Sequence, residues 1–233
     1  IKVAVFKQVN LIEKFVFQKN VLKNNFKNIL KKYPNCTKAV LSSVGKLDEN
    51  DILWLKSHLN LLEIGHDSVF PFINLYGSPK TLGIDRMVLA AGAVLLYPNQ
   101  NTLIIDAGTC VTYDFVTSSN EYLGGAISPG LRLRYESLHN FTAKLPLLTK
   151  KAPENFIGNT TDEAIHSGVV NGLCNEIEGF VSEYSVKNEQ FTIILTGGDA
   201  NFLANRLKST IFADENFLLK GLQQLYTYSL QND

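Results

Sequence analysis

Two stretches about 110 residues apart, Ile1-Lys2-Val3-Ala4-Val5-Phe6 and Val111-Thr112-Tyr113-Asp114-Phe115-Val116, carry the same alternating pattern of β-branched and aromatic residues. Each precedes a further strand-like segment, Lys14–Phe17 in the first case and Tyr122–Ile127 in the second. The second copy is led by an apolar strand, Thr102–Asp106, and a tight turn, Ala107-Gly108-Thr109. The first copy has no such leader and opens in mid-strand without a methionine, so residues are expected to precede Ile1. The simplest reading is a duplication of about 100–110 residues whose first copy lacks its leading strand and turn here. A strand-rich repeat interleaved with helices restricts the chain to an α/β layer architecture.

The remaining segments fit that architecture. Asn20 is placed to cap a helix reaching about Lys32, with Val21, Phe26, Ile29 and Leu30 on its buried side. A short strand over Ala39–Val44 and a helix over Asp51–Leu59 follow. Ser78-Pro79 and Gly83 punctuate the chain before Arg86–Leu96, a helix apolar nearly all round and therefore expected in the interior. Beyond the second copy come a helix from Gly130 to about Asn140, a long helix from Thr161 to about Tyr184, and a strand over Phe191–Leu195. A helix after Thr196-Gly197-Gly198-Asp199-Ala200, a short strand over Ile211–Ala213 and a closing helix over Phe217–Leu230 complete the pattern. The expected boundary lies near residues 96–101, giving domains 1–98 and 99–233, with the last helix packing back on the first half.

Composition removes several classes of function. With 45% hydrophobic residues the chain can bury a core without staples. Lys plus Arg and Asp plus Glu balance at 22 each, so no global field draws it to nucleic acid or anionic lipid. No apolar run reaches the roughly 18 residues of a membrane span, and no signal-peptide pattern is present. Cys36, Cys110 and Cys174 are widely spaced, with neither disulfide nor zinc-site spacing, which suits a reducing compartment, the cytoplasm by default. Cys110 is read as a small packing residue, and His58, His66, His139 and His166 lack metal-ligand spacing.

Two short motifs carry chemistry. In Asp106-Ala107-Gly108-Thr109 an acid ends an apolar strand, where it can hold a cation, and the glycine lets backbone N–H groups approach a phosphate. Thr196-Gly197-Gly198-Asp199 lies between a strand and a helix, where paired glycines let a nucleotide lie against the backbone. Taken singly, an ordinary hairpin turn and a generic loop explain them as well. Their order matches the phosphate and adenosine elements of the acetate kinase, sugar kinase, Hsp70 and actin superfold. Neither a G-x-x-x-x-G-K-[ST] loop nor a G-x-G-x-x-G after a strand is present.

The most specific segment is Tyr76-Gly77-Ser78-Pro79-Lys80-Thr81-Leu82-Gly83-Ile84-Asp85-Arg86. It resembles the Y-x-x-P-x-x-L-G-x-D-R signature of the type III pantothenate kinases. The resemblance continues in order through Asp106-Ala107-Gly108-Thr109, Gly124-Gly125-Ala126-Ile127-Ser128-Pro129-Gly130, Thr142-Ala143 before Leu145-Pro146, Gly158-Asn159-Thr160-Thr161, and Thr196-Gly197-Gly198-Asp199. It implies duplicated ribonuclease-H-like domains of the actin-like ATPase type, each a mixed sheet flanked by helices, with ATP in the cleft. It also implies ATP-dependent phosphorylation of pantothenate in coenzyme A synthesis. Asp85 is then the general base, and Tyr76, Gly83, Ile84 and Arg86 line the pantothenate site. Thr161 adds a hydroxyl across a homodimer interface. Gly108, Thr109, Gly197 and Gly198 contact ATP, Asp106 holds a monovalent cation (K⁺ or NH₄⁺), and Mg²⁺ bridges the phosphates. The family ordinarily begins with a strand and a D-x-G-N-T loop that this sequence does not show. That departure keeps two rivals open: a non-catalytic accessory relative, and a kinase for another small hydroxylated substrate.

Overall fold

The structure is a computed structural model that describes every residue except Val44, Lys46, Glu189 and Asp233. Its residues form two compact units, Ile1–Pro98 with Phe217–Asp233, and Asn99–Asn216.

In the second unit, strands β6 (Thr102–Ala107), β7 (Cys110–Val116), β8 (Glu121–Pro129), β9 (Thr192–Thr196) and β10 (Phe212–Ala213) lie in the order β10-β9-β6-β7-β8. The β6–β7 and β7–β8 pairs are antiparallel, and β6–β9 and β9–β10 are parallel, so the sheet is mixed and β6 is central. Alternation along the strands turns Leu103, Ile105, Val111, Tyr113, Ile193 and Leu195 onto one core with Val170, Leu173 and Ile177. Those last three belong to a helical stretch that begins with α5 (Thr161–His166) and ends with α6 (Gly172–Lys187). The sequence pattern suggests one continuous helix there. The structure interrupts it with a π-helical segment at Ser167–Asn171, where the Ser167 hydroxyl donates to the carbonyl of Phe156 and Asn171 Nδ2 donates to Ser167 Oγ at 3.1 Å. Such segments occur mostly as single turns inside α-helices. Helices α4 (Leu131–Asn140) and α7 (Ala200–Ala204) complete this unit.

The first unit holds an antiparallel hairpin, β1 (Lys2–Lys7) with β2 (Asn10–Val16), and a parallel pair, β3 (Lys38–Ser42) with β4 (Asn60–Ile64). A two-residue strand, β5 (Ile73–Asn74), and helices α1 (Leu22–Lys32), α2 (Glu49–His58), α3 (Ile84–Leu96) and α8 (Phe217–Asn232) accompany them. The hairpins of the two units share a defect. The register slips between Val5 and Phe6 in one and between Phe115 and Val116 in the other, the same position when the two hexapeptides are aligned. The β3–β4 pair likewise matches β9–β10 in being parallel. Among the described residues of the first unit, no strand joins β1 to β3 as β6 joins β7 to β9.

Local details differ from the sequence expectations for physical reasons. Asn20 does not cap α1: Lys19–Val21 form a 3₁₀ turn, Val21 is the N-cap without a side-chain bond, and burial of Leu22 sets the start. Helix α2 starts earlier than expected because Asp48 accepts from the Asn50 N–H at 2.8 Å. The second strand begins at Asn10 rather than Lys14, and β4 follows α2 with no glycine or proline to announce it. The strand expected over Ala39–Val44 ends at Ser42, and Val44 lies outside the described residues. Helices α3 and α8 approach closely enough that a Cβ on Gly92 would stand 2.8 Å from the Cα of Gly221.

Candidate active site

The Tyr76–Arg86 segment of the first unit is organised by its backbone. Pro79–Thr81 form a 3₁₀ turn, and Thr81 Oγ1 donates to the carbonyl of Ser78 at 2.9 Å. Leu82 is buried, with its carbonyl 2.9 Å from Nε2 of His66, and Gly83 then caps α3. The carboxylate of Asp85 folds back over that cap, where its Oδ1 accepts from the Arg86 backbone N–H at 2.9 Å. A Cβ on residue 83 would lie 2.4 Å from the same Oδ1. The L-G-x-D spacing therefore has a steric cause: the glycine vacates the volume that the acid occupies. Ile84 is buried, and Arg86, only 5% exposed, lies with its guanidinium carbon 5.6 Å from the centre of the Tyr76 ring. Tyr76, Gly83, Asp85 and Arg86 are thus brought together.

Gly83 has φ −59°, so alanine there meets no backbone strain. Its methyl would instead displace a carboxylate oxygen, the movable end of a side chain. With Asp85 in the base role that the resemblance implies, Gly83→Ala is expected to leave the thermal midpoint nearly unchanged while lowering kcat at least 10-fold, since displacing a reacting group by about 1 Å costs on that order or more. Steady-state kinetics beside a melting curve checks both halves.

In the second unit, β6 delivers Asp106 to the turn Gly108-Thr109, and three backbone approaches fix that turn. Gly130 N–H donates to the Thr109 carbonyl at 3.0 Å, and a Cβ on Gly130 would stand 2.1 Å from the Gly108 carbonyl oxygen. Asp199 N–H donates to the Ala107 carbonyl at 3.0 Å. Gly197, at φ +96°, lies so near that a Cβ would fall 2.3 Å from the Ala107 carbonyl oxygen and 2.4 Å from Asp106 Oδ1. Gly198 differs: its missing Cβ faces open space. Asp106, Gly108, Thr109, Gly197 and Gly198 therefore form one cluster, with the exposed side chain of Thr109 at its rim. Cys110, expected to pack, is exposed instead, because it is the first residue of β7 beyond the turn and outside the core.

Thr161 opens α5 on an exposed surface, after Thr160 has capped the helix by accepting from the Glu163 N–H at 3.3 Å. The Glu163 carboxylate accepts in turn from the Asn159 N–H at 3.2 Å, one residue before the cap. Gly158 is required because a Cβ there would meet the backbone of Glu163 and Ala164 within 2.4 Å. Other supporting residues escaped the sequence reading. Lys150 pairs with Asp199 of the glycine loop. Glu176 binds Ser128, Arg134 and Tyr113, anchoring the end of β8 beside Gly130. Burial opposes ionisation of Glu176, yet those three hydrogen bonds prevail and hold its carboxyl below the ordinary range. Burial, and then the bond to Glu176, push the Tyr113 hydroxyl well above its usual value. Isolated polar residues such as Glu176 inside a helix carry no local signal of such a role.

Residues 1–183 match the family profile described as type III pantothenate kinase. A protein of that name from Flavobacterium johnsoniae is 57% identical over 233 residues, covering 100% of this chain and 96% of its own length. Another, from Bacteroides fragilis, is 38% identical over 238 residues, covering 98% and 93%. Among solved structures, a conserved Baf family protein from Campylobacter jejuni superposes with a TM-score of 0.55 at 21% identity, covering 87% of this chain and 89% of that one. The activator of 2-hydroxyisocaproyl-CoA dehydratase from Clostridium difficile, solved with ADPNP, gives 0.54 at 12% identity, covering 99% and 90%. These two likenesses concern the fold alone.

Proposed function

As the chain belongs to the type III pantothenate kinases, we propose that it transfers the γ-phosphoryl group of ATP to the primary hydroxyl of pantothenate. The products are ADP and 4′-phosphopantothenate, at the first step of coenzyme A synthesis. The observation that carries this reading is the setting of Asp85, held on the cap of α3 in the space that Gly83 leaves. Phosphoryl transfer asks a protein for positioning, charge neutralisation and a nearby base. Asp85 takes the hydroxyl proton, while Tyr76, Gly83, Ile84 and Arg86 line the pantothenate site.

ATP lies against Gly108, Thr109, Gly197 and Gly198. The open space at Gly198 and the tightly fixed turn at Gly108 support this. Mg²⁺, bound to the ATP phosphates, and a monovalent cation, K⁺ or NH₄⁺, at Asp106 supply charge neutralisation when present. The Asp106 carboxylate, with the hydroxyls of Thr112 and Thr196 on its two register partners, offers an all-oxygen setting suited to a hydrated cation. The two units are read as ribonuclease-H-like domains.

Thr161 serves the neighbouring copy in a homodimer. The exposed apolar side chains of Phe141, Phe156 and Ile157, on the segment leading to α5, support that reading. Among the described residues no helix is long and apolar enough to cross a membrane, and a cytoplasmic enzyme with no nucleic-acid partner fits the balanced charge. A coupled assay of ADP release with pantothenate, glucose and acetate in parallel tests the reading. Release with pantothenate alone is the expected result, and release with a sugar or acetate in its place would overturn it.

A further inference from the structure

Three neighbouring strands set one row of polar side chains at the end of β6. The register pairs Asp106 with Thr112 of β7 on one side and with Thr196 of β9 on the other. Register partners point to the same face of a sheet, so the carboxylate has a hydroxyl on either hand. The adjacent row on the same face is apolar on β9 and β6, with Ile194 beside Ile104, and carries the buried Asp114 on β7. Both hydroxyl oxygens are buried and have no hydrogen-bond partner among the described residues, and Thr196 is only 1% exposed.

A buried hydroxyl without a partner destabilises the fold, whereas valine would fill the same volume at no such cost. Two such hydroxyls flanking one carboxylate mark a place prepared for a group the chain does not itself provide. An anion is disfavoured beside Asp106, and a cation is favoured. Strand spacing of about 4.8 Å puts the Cβ atoms of residues 112 and 196 about 10 Å apart, too far for both hydroxyls to touch one ion resting on Asp106. They can reach the waters such an ion retains. We infer that Thr112 and Thr196 are positioning residues of a cation site centred on Asp106, holding the ion's water shell through their hydroxyl oxygens. This rests on the assignment of a cation to Asp106 made above.

The test is potassium-dependent thermal stabilisation of the full chain, with Mg²⁺ and a non-hydrolysable ATP analogue present and choline chloride keeping ionic strength constant. Thr112→Val and Thr196→Val should each raise the potassium concentration giving half of the shift by about 10–100-fold, the usual cost of losing an outer-shell partner. Their midpoints without potassium should stay level or rise, because an orphaned hydroxyl has been removed. Thr112→Ser and Thr196→Ser should restore the parent titration. If a valine variant does not fold, alanine at the same position supplies the measurement. Valine variants that titrate like the parent while Asp106→Asn loses the response would overturn the role of the threonines and leave the Asp106 assignment standing. A response retained in Asp106→Asn, or absent from the parent, would overturn both.

Discussion

Asp85→Asn is expected to lower turnover by roughly 10²–10⁴-fold, the usual worth of a general base. That range corresponds to about 2.7–5.5 kcal/mol of transition-state stabilisation. The substitution isolates the proton-accepting role proposed for Asp85. Asparagine keeps the shape of the side chain and an Oδ1 that can still accept from the Arg86 N–H, so the first turn of α3 and the Arg86–Tyr76 contact should persist. The KM values for ATP and pantothenate should change little beside kcat, since the role proposed for the carboxylate is confined to the reacting hydroxyl. A near-normal rate of ADP release would remove Asp85 from the base role. A lower melting temperature with an equal fall in activity would assign it to helix capping instead.

Gly197→Ala should be the most damaging change in the glycine loop. A side chain at φ +96° is strained, and the new methyl would enter the space of the Ala107 carbonyl and the Asp106 carboxylate at once. Positive-φ strain and overpacking together imply a loss of about 2–5 kcal/mol in folding stability. Binding of a fluorescent ATP analogue should weaken at the same time, because the methyl displaces the Asp106 turn. Gly198→Ala is the internal control. It meets nothing within 4 Å, so urea unfolding should place it within about 0.5 kcal/mol of the parent. Equal stability losses at the two positions would contradict this account of the loop.

The two glycines also show where sequence reading stops. A Gly-Gly pair between a strand and a helix announces a close backbone approach, but not which glycine makes it. That depends on the Ala107 carbonyl, which the parallel β6–β9 register brings alongside. Cys110 failed for a similar reason. Its small size suggested packing, and only the end of the hairpin shows that position 110 has already left the core. The long helix from Thr161 looked continuous because apolar spacing does not reveal a π segment, which here coincides with the tie between Ser167 and Phe156.

Local order in the chain was enough for the fold class and for the main motifs. Period-two hexapeptides, an acid closing an apolar strand, and L-G-x-D-R before an apolar helix act over a few neighbouring residues, so the α/β class, the duplication and the residues around Asp85 and Asp106 were legible at once. Strand register was not, because it brings together residues far apart in sequence. The pairing of Thr196 with Asp106 appears in no local pattern, and it was decided only when β9 lay down parallel to β6.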